Sequence, residues 1–375
     1  MPRVLICYLV RNSGHHSAAR TLESALHKLD SSIETLCVDL LEYTHPRWSA
    51  VVQKMYMVTI RRTPEVWEAL YDRVWLEYLT RRIWRLVQRG NSRSLCELMD
   101  RFKPDFAVCT QAHPLGVLNA YAQRRGLDFP LWGVVTDYVP HRFWVVPGPV
   151  NYVVPNEAAA GRLVLLGVER SRIHPLGIPI HTGFVTERKT RVSREDGRRV
   201  LVMGGSRGLG ARYRTIRYLD RSRADFTIDV VTGANRRLRA RLVRNRKSFQ
   251  HPIRIRGFVK DAVALMHRAS LLISKPGGLT TAEAMAVGLP MLLVRPLPGQ
   301  ERGNTEVLVR HGAAIHVTED RDVAGLTTVL LSNRELLDIM RERALLLGRP
   351  NAAMDVAQHI LSDWNAPRHA KDEPA

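Results

Sequence analysis

The feature that most constrains this chain is an alternation that occurs twice. Short apolar runs at Val4–Val10, Phe106–Thr110, Leu131–Val135 and Tyr152–Val154 are separated by helix-forming stretches and polar turns. After the turn at Arg11–Gly14, the residues Ala18, Ala19, Leu22, Ala25, Leu26 and Leu29 recur at helical spacing. Strand, loop and helix in repetition predict a parallel sheet covered on both faces. Beyond Gly177-Ile178-Pro179-Ile180 the composition shifts, and residues 187–199 are charged with no apolar period. A second series then begins with Val200–Met203, Thr227–Val231, Ile253–Ile255, Leu271–Ser274 and Met291–Val294. A length of 375 residues fits two domains at roughly 100–200 residues each. The fold class is therefore α/β, two doubly wound halves joined by a charged linker.

Charge narrows the partners. Lys and Arg number 56 against 36 Asp and Glu, a formal net charge of +20. Such an excess suits nucleic acid, an acidic membrane surface or a phosphorylated substrate, and charge alone does not choose. Cys7, Cys37, Cys96 and Cys109 form no C-x-x-C pair, which predicts reduced thiols, a reducing compartment and no structural zinc. The apolar start is too short for a secretory signal, and no run is long enough to cross a bilayer. The expected location is cytoplasmic, with any membrane contact peripheral.

Several segments carry candidate chemistry. In Ser274-Lys275-Pro276-Gly277-Gly278-Leu279-Thr280-Thr281-Ala282-Glu283 a strand gives way through two glycines to a helix start. Such a start binds phosphate through free N–H groups, and a carboxylate one turn later suits a ribose diol. The same pattern also serves as a plain structural turn. Met203-Gly204-Gly205-Ser206 opens a second glycine loop after a strand, without matching G-x-G-x-x-G. Gln300, Glu301 and Asn304 offer the donors and acceptors that sugar hydroxyls require, or simply a polar surface turn. His15, and equally His16 beside it, stands at the first strand–helix switch, where an imidazole serves as a general base or as a loop cap. Asp137 stands at a strand end, facing a ligand or capping a helix.

Residues 47–93 differ from the rest. They hold Trp48, Trp67, Trp75 and Trp84, with ten basic residues against four acidic ones. Trp67, Leu70, Tyr71, Val74 and Tyr78 form a helical stripe. A basic, Trp-rich amphipathic helix fits an interfacial anchor on anionic lipid, with Trp67, Trp75, Arg81, Arg82, Trp84 and Arg85 as contacts. An ordinary amphipathic helix with solvated arginines is the alternative.

Taken in order, the motifs resemble the monogalactosyldiacylglycerol synthase and processive diacylglycerol glucosyltransferase family over roughly residues 3–360. The matching elements are Gly14-His15-x-x-Ala18-Ala19, Phe102-x-Pro104-Asp105, His113-Pro114, Thr136-Asp137 with His141 and Trp144, and Gly177-Ile178-Pro179. Further along stand Gly204-Gly205, Gly257-Phe258-Val259, Lys275-Pro276-Gly277-Gly278-x-Thr280, Glu283 and Pro298-Gly299-Gln300-Glu301 with Asn304. Asn12-Ser13-Gly14 is a shorter glycine start than the family's, and Ser270-Leu271 replaces its frequent Ala-Asp.

The resemblance implies the GT-B fold, two Rossmann-like domains facing across a cleft. It divides the chain into an acceptor- and membrane-binding domain (1–186), a linker (187–199) and a UDP-sugar domain (200–350). A helix at 351–365 would cross back to the first domain, followed by a tail at 366–375. It implies inverting transfer of galactose or glucose from a UDP-sugar to 1,2-diacylglycerol, with no cofactor and no metal, on the inner face of the cell membrane. By the same resemblance His15 is the base or its positioner and Asp137 its partner. Gly205, Ser206, Gly277, Gly278 and Thr280 hold the pyrophosphate, Glu283 the ribose and Val259 the uracil. Gln300, Glu301 and Asn304 hold the hexose. On the same fold, a GlcNAc transferase using a polyprenyl-linked acceptor and a UDP-sugar epimerase remain alternatives. A nucleic-acid binder is supported by charge alone, with no zinc finger or RNP-type motif, so no nucleic-acid partner is expected.

Overall fold

A computed structural model describes residues 1–44, 93–127, 129–186, 198–205, 208, 210, 212–259, 262–297 and 299–372. The chain forms two compact units: Met1–Ile180 with Pro298–Gln300 and Asn351–Ala375, and His181–Leu297 with Glu301–Pro350. The expected linker, apart from its last two residues, and the anchor residues Trp67, Trp75, Arg81, Arg82, Trp84 and Arg85 lie outside the described residues, as does Ser206.

The first unit is built on a parallel sheet of β1 (Arg3–Tyr8), β2 (Glu34–Asp39), β3 (Phe106–Cys109), β4 (Leu131–Val134), β5 (Val150–Val153) and β6 (Ile173–His174). Their spatial order is β2-β1-β3-β4-β5-β6. Period-2 side-chain alternation splits β1 between two cores. Leu5 and Cys7 face one layer with Leu115, Leu118 and Tyr152. Val4, Ile6 and Tyr8 face the other, where helix Gly14–Leu29 buries Leu22, Ala25 and Leu26. Val356, Ala357 and Ile360 of the last helix pack into that second layer. This helix runs Ala352–Asp372, so most of the stretch expected as a frayed tail is helical. Polar composition argues against burial there but does not forbid helical backbone.

The second unit repeats the design with β7 (Arg199–Met203), β8 (Thr227–Val231), β9 (Ile253–Arg256), β10 (Leu271–Ser274), β11 (Met291–Val294) and β12 (Ala314–Val317). Its order is β12-β11-β10-β7-β8-β9, again parallel throughout. In each unit the first strand has its successor on one side and a later strand on the other. That places a topological switch point at the carboxyl ends of β1/β3 and of β7/β10, where doubly wound sheets bind ligands. The four cysteines are free thiols, and no helix among the described residues is long and apolar enough to cross a membrane.

Candidate active site

At the first switch point, β1 stops at Tyr8 rather than continuing to Val10. Leu9 N donates to Gln111 Oε1 (2.7 Å) and Val10 N to Asp39 Oδ2 (2.8 Å), so side chains from β3 and β2 ends terminate the strand. The turn places Val10 and Asn12 in the left-handed region (φ 67° and 58°), a costly conformation for a β-branched residue. Ser13 then caps the helix by accepting from His16 N (3.1 Å).

This turn separates two histidines that spacing leaves equivalent. His15 Nδ1 lies 2.9 Å from the Thr110 carbonyl and 2.9 Å from Thr136 Oγ1. Thr110 Oγ1 donates to the His15 carbonyl at 3.0 Å. A carbonyl oxygen only accepts, so Nδ1 carries the proton and Nε2 of the neutral ring keeps its lone pair. His16 instead stacks on Tyr8 at 4.5 Å, and its Nδ1 faces Asn12 N at 3.4 Å. Burial, with Arg20 and Arg11 adding to it, holds the His16 imidazole below its ordinary value. Of the two, His15 is the one held between the ends of β3 and β4.

Asp137 follows Thr136 at the end of β4 and is buried, as is Tyr138. His141 is pushed down to about 3, chiefly by burial and further by His15 and Arg162. It therefore stays neutral beside His15 near neutral pH. Asp39 is raised above the usual carboxylate range by burial, against the hydrogen bonds from Leu41 and Val10. Thr110, Gln111 and Asp39 carry no motif, so sequence reasoning passed over them.

At the second switch point the structure joins two turns that are 60 to 70 residues apart in the chain. A Cβ on Gly210 would lie 3.0 Å from Lys275 N, and one on Gly205 3.2 Å from Lys275 Cε. Gly208, at φ 68°, has no room at all: its Cβ would fall 2.2 Å from the Thr232 carbonyl. Helix Gly278–Ala286 starts at Gly277, which has no side chain to cap it, and Thr281 Oγ1 inside the helix donates back to the Gly277 and Gly278 carbonyls (3.0 Å each). The Gly277 N–H donates to the Lys275 carbonyl (2.9 Å), and the N–H groups from Gly278 onward are those a helix start can offer an anion. Thr280 and Glu283 are half-buried on that helix, and Val259 is half-buried just beyond β9.

Helix Gln300–Arg310 braces this turn from below. Lys275 Nζ pairs with Glu301 Oε1, and Glu301 Oε2 accepts from Leu297 N (3.0 Å). Glu301 is 8% exposed and Asn304 fully buried. Asn304 Nδ2 donates to the Pro276 carbonyl at 3.1 Å and so holds the turn that leads into Gly277 and Gly278. Gln300, at the helix start, is half-buried. The Lys275 ammonium is spent on Glu301, which leaves backbone N–H groups as the main attraction for an anion. Among the described residues no three His, Cys, Asp or Glu side chains gather as a metal site.

Two Rossmann-like units with ligand-type turns at both switch points define a GT-B fold. Residues 15–180 match the monogalactosyldiacylglycerol (MGDG) synthase family, and residues 199–343 the glycosyltransferase family 28 C-terminal domain. Both halves of the chain thus resemble the monogalactosyldiacylglycerol synthase and processive diacylglycerol glucosyltransferase family. It is 27% identical over 372 residues to a processive diacylglycerol beta-glucosyltransferase of Bacillus cytotoxicus, covering 97% of this chain and 95% of the relative. A Bacillus cereus enzyme of the same name is 26% identical, covering 98% and 96%. Among solved structures, Acinetobacter baumannii MurG superposes with a TM-score of 0.61 at 17% identity (96% and 100% covered). Staphylococcus aureus MnaA with UDP gives 0.62 at 14% identity (97% of each covered). These two likenesses concern the fold.

Proposed function

We propose that this protein transfers a hexose from a UDP-sugar to 1,2-diacylglycerol, with inversion and without a bound metal. The observation that carries the reading is the likeness, over nearly the whole chain, to enzymes named for glucosyl transfer to diacylglycerol. The mounting of His15 supplies the chemistry. Its Nε2 takes the proton of the acceptor hydroxyl as the oxygen attacks the anomeric carbon, and Nδ1–H stays on the Thr110 carbonyl and Thr136 hydroxyl. The ring is then cationic, and the carbonyl strengthens its hold on a charged donor. Asp137 is assigned a supporting electrostatic role.

Departing UDP takes negative charge onto its pyrophosphate. The N–H groups that begin with Gly278, in the turn Gly277 makes, the Gly204–Gly205 turn, Ser206 and the Thr280 hydroxyl receive it in place of a metal. Glu283 accepts the ribose hydroxyls and the backbone at Val259 reads uracil. Gln300 and Glu301 hold the hexose, and Asn304 fixes the turn beneath it. Docking of the 47–93 segment on the inner face of the membrane would bring diacylglycerol within reach. The donor is proposed as UDP-glucose or UDP-galactose.

The test is purified protein with diacylglycerol and each UDP-hexose in EDTA, with products resolved by thin-layer chromatography and mass spectrometry. A glycosyldiacylglycerol is expected from one donor. No product with either sugar would overturn the acceptor, and product only after adding Mn²⁺ or Mg²⁺ would overturn the metal-free step.

A further inference from the structure

The net charge of this protein is concentrated. Residues 212–256 hold fourteen Arg and Lys against three Asp, which is eleven of the twenty net positive charges. Two of those aspartates are withdrawn from the surface. Asp229 is buried 3.6 Å from Arg199, and Asp220 is buried with Arg217 (3.3 Å) and the Gln250 and His251 amides. Asp225 is the exposed one.

The fold decides where the remaining charge points. Helix Arg236–Arg244 buries Leu238 and Leu242 on the β8–β9 side of the sheet. Helical geometry then turns Arg236, Ala240 and Arg244 outward, flanked by Arg237 and Val243. Arg246 and Lys247 extend the row past the helix, and Arg254 and Arg256 stand exposed on the edge strand β9. Among the described residues, Arg236, Arg237, Arg244, Arg246, Lys247 and Arg254 enter no ion pair.

Edge arginines keep a strand from pairing with another chain, which accounts for Arg254 and Arg256. It does not account for the helix. Arg241 covers Tyr213 at 3.9 Å, Arg217 covers Phe249 at 4.9 Å, and Arg214 and Arg221 cover Tyr218 at 5.4 and 5.1 Å. These rings are therefore closed to a stacking base, as single-stranded nucleic acid would require. Val243, 55% exposed, puts an apolar side chain among the arginines instead.

We infer that this edge of the second unit docks on an anionic lipid surface. Preference for a bilayer over another polyanion rests on the proposed acceptor, since diacylglycerol resides in one. The residues of this contact are distinct in sequence from the Trp-rich segment at 47–93. Among the described residues, the glycine turn after β7 meets this helix at its start, where Asn235 Nδ2 donates to the Gly208 carbonyl (3.5 Å). Arg244 lies about 12 Å further along the axis.

The experiment compares the full-length protein with a variant carrying Arg244→Gln, Arg246→Gln, Lys247→Gln and Arg254→Gln. Each is floated with phosphatidylcholine vesicles with and without phosphatidylglycerol, and assayed on diacylglycerol in neutral detergent micelles. Partition onto the phosphatidylglycerol vesicles should fall about tenfold or more, at the usual weight of a basic residue near an anionic surface. Micelle turnover should not change, and Arg244→Lys with Arg246→Lys and Arg254→Lys should partition as the parent does. A control with Arg321→Gln, Arg334→Gln, Arg343→Gln and Arg349→Gln removes equal charge from the same unit. Unchanged partition in the first variant, or an equal loss in the control, overturns the inference. So does a duplex oligonucleotide that binds more tightly than vesicles and is released by the same substitutions. Failure of the parent to turn over diacylglycerol in micelles would sink the acceptor, while flotation would still decide the lipid contact.

Discussion

The two units share a topology, yet the turns at their switch points are made of opposite materials. After β1, Val10 and Asn12 adopt left-handed backbone at φ 67° and 58°, a strain of roughly 1–3 kcal/mol each. Asp39 and Gln111 hold the amides that enforce it. After β7, Gly205 and Gly208 take the same region at φ 69° and 68° without a Cβ to object. The first turn has to deliver a side chain, His15, at a set angle and tautomer. The second has to deliver bare backbone close to a neighbouring strand's turn. On the proposed function, a base needs fixed partners, an anion cradle needs bare backbone, and the same strand–turn–helix unit would serve both.

The sharpest way to break this comparison is at the base. His15→Ala should lower kcat by roughly 10²–10⁴ with UDP affinity nearly unchanged by calorimetry. A variant keeping half of the parent turnover would remove His15 from the reaction. The glycine turn comes next. Gly208→Ala should destabilise the second unit by more than ~1 kcal/mol and weaken UDP binding, because its Cβ meets the Thr232 carbonyl. Gly126→Ala, also at positive φ but with open space around it, isolates the conformational part at about 1 kcal/mol. Equal urea midpoints for the two would show that close approach does not matter at Gly208.

A smaller effect tests how the base is held. Thr136→Val removes one of two Nδ1 partners and should lower kcat about fivefold, the weight of one hydrogen bond. The acid limb of the pH–rate profile should shift too, and Thr136→Ser should restore both. A purely structural threonine would leave that limb in place.

The smallest expected effect concerns pH and the first unit. His174 is pushed down from 6.5 to about 4, mainly by burial and then by His359 and Arg170. The unfolded chain therefore takes up this proton first as pH falls. Stability is full above about 6.5 and drains between there and about 4. Urea midpoints followed by amide exchange in the first unit should fall across that window, and His174→Phe should flatten the slope. A slope unaffected by the substitution would assign the acid sensitivity elsewhere.

The strands that pattern reading missed are instructive. β2, β6 and β12 went unread, and all are edges of their sheets. An edge strand meets solvent on one side, so Glu34–Asp39 and Ala314–Val317 mix exposed and buried residues instead of forming a continuous apolar run. Central strands, buried on both faces, were legible within a residue or two. Val10 was misjudged because its β-branched side chain argues for strand, while side chains on other strands end β1 two residues earlier.

The local chemistry was in the sequence: the alternation that makes two parallel sheets, the glycines that must turn, and a histidine at the first switch. Which histidine is held between neighbouring strand ends was not. His15 differs from His16 through Thr110 and Thr136, 95 and 121 residues away, and those contacts exist because β1, β3 and β4 end side by side. Likewise Lys275 turns out to balance Glu301, and Asn304 to support a turn from full burial. Periodicity reports which face of a strand is buried, because that depends on neighbours in the chain. Strand order and register decide which polar atoms meet, and they are set by the packing of whole layers, so only the tertiary structure could supply the partners.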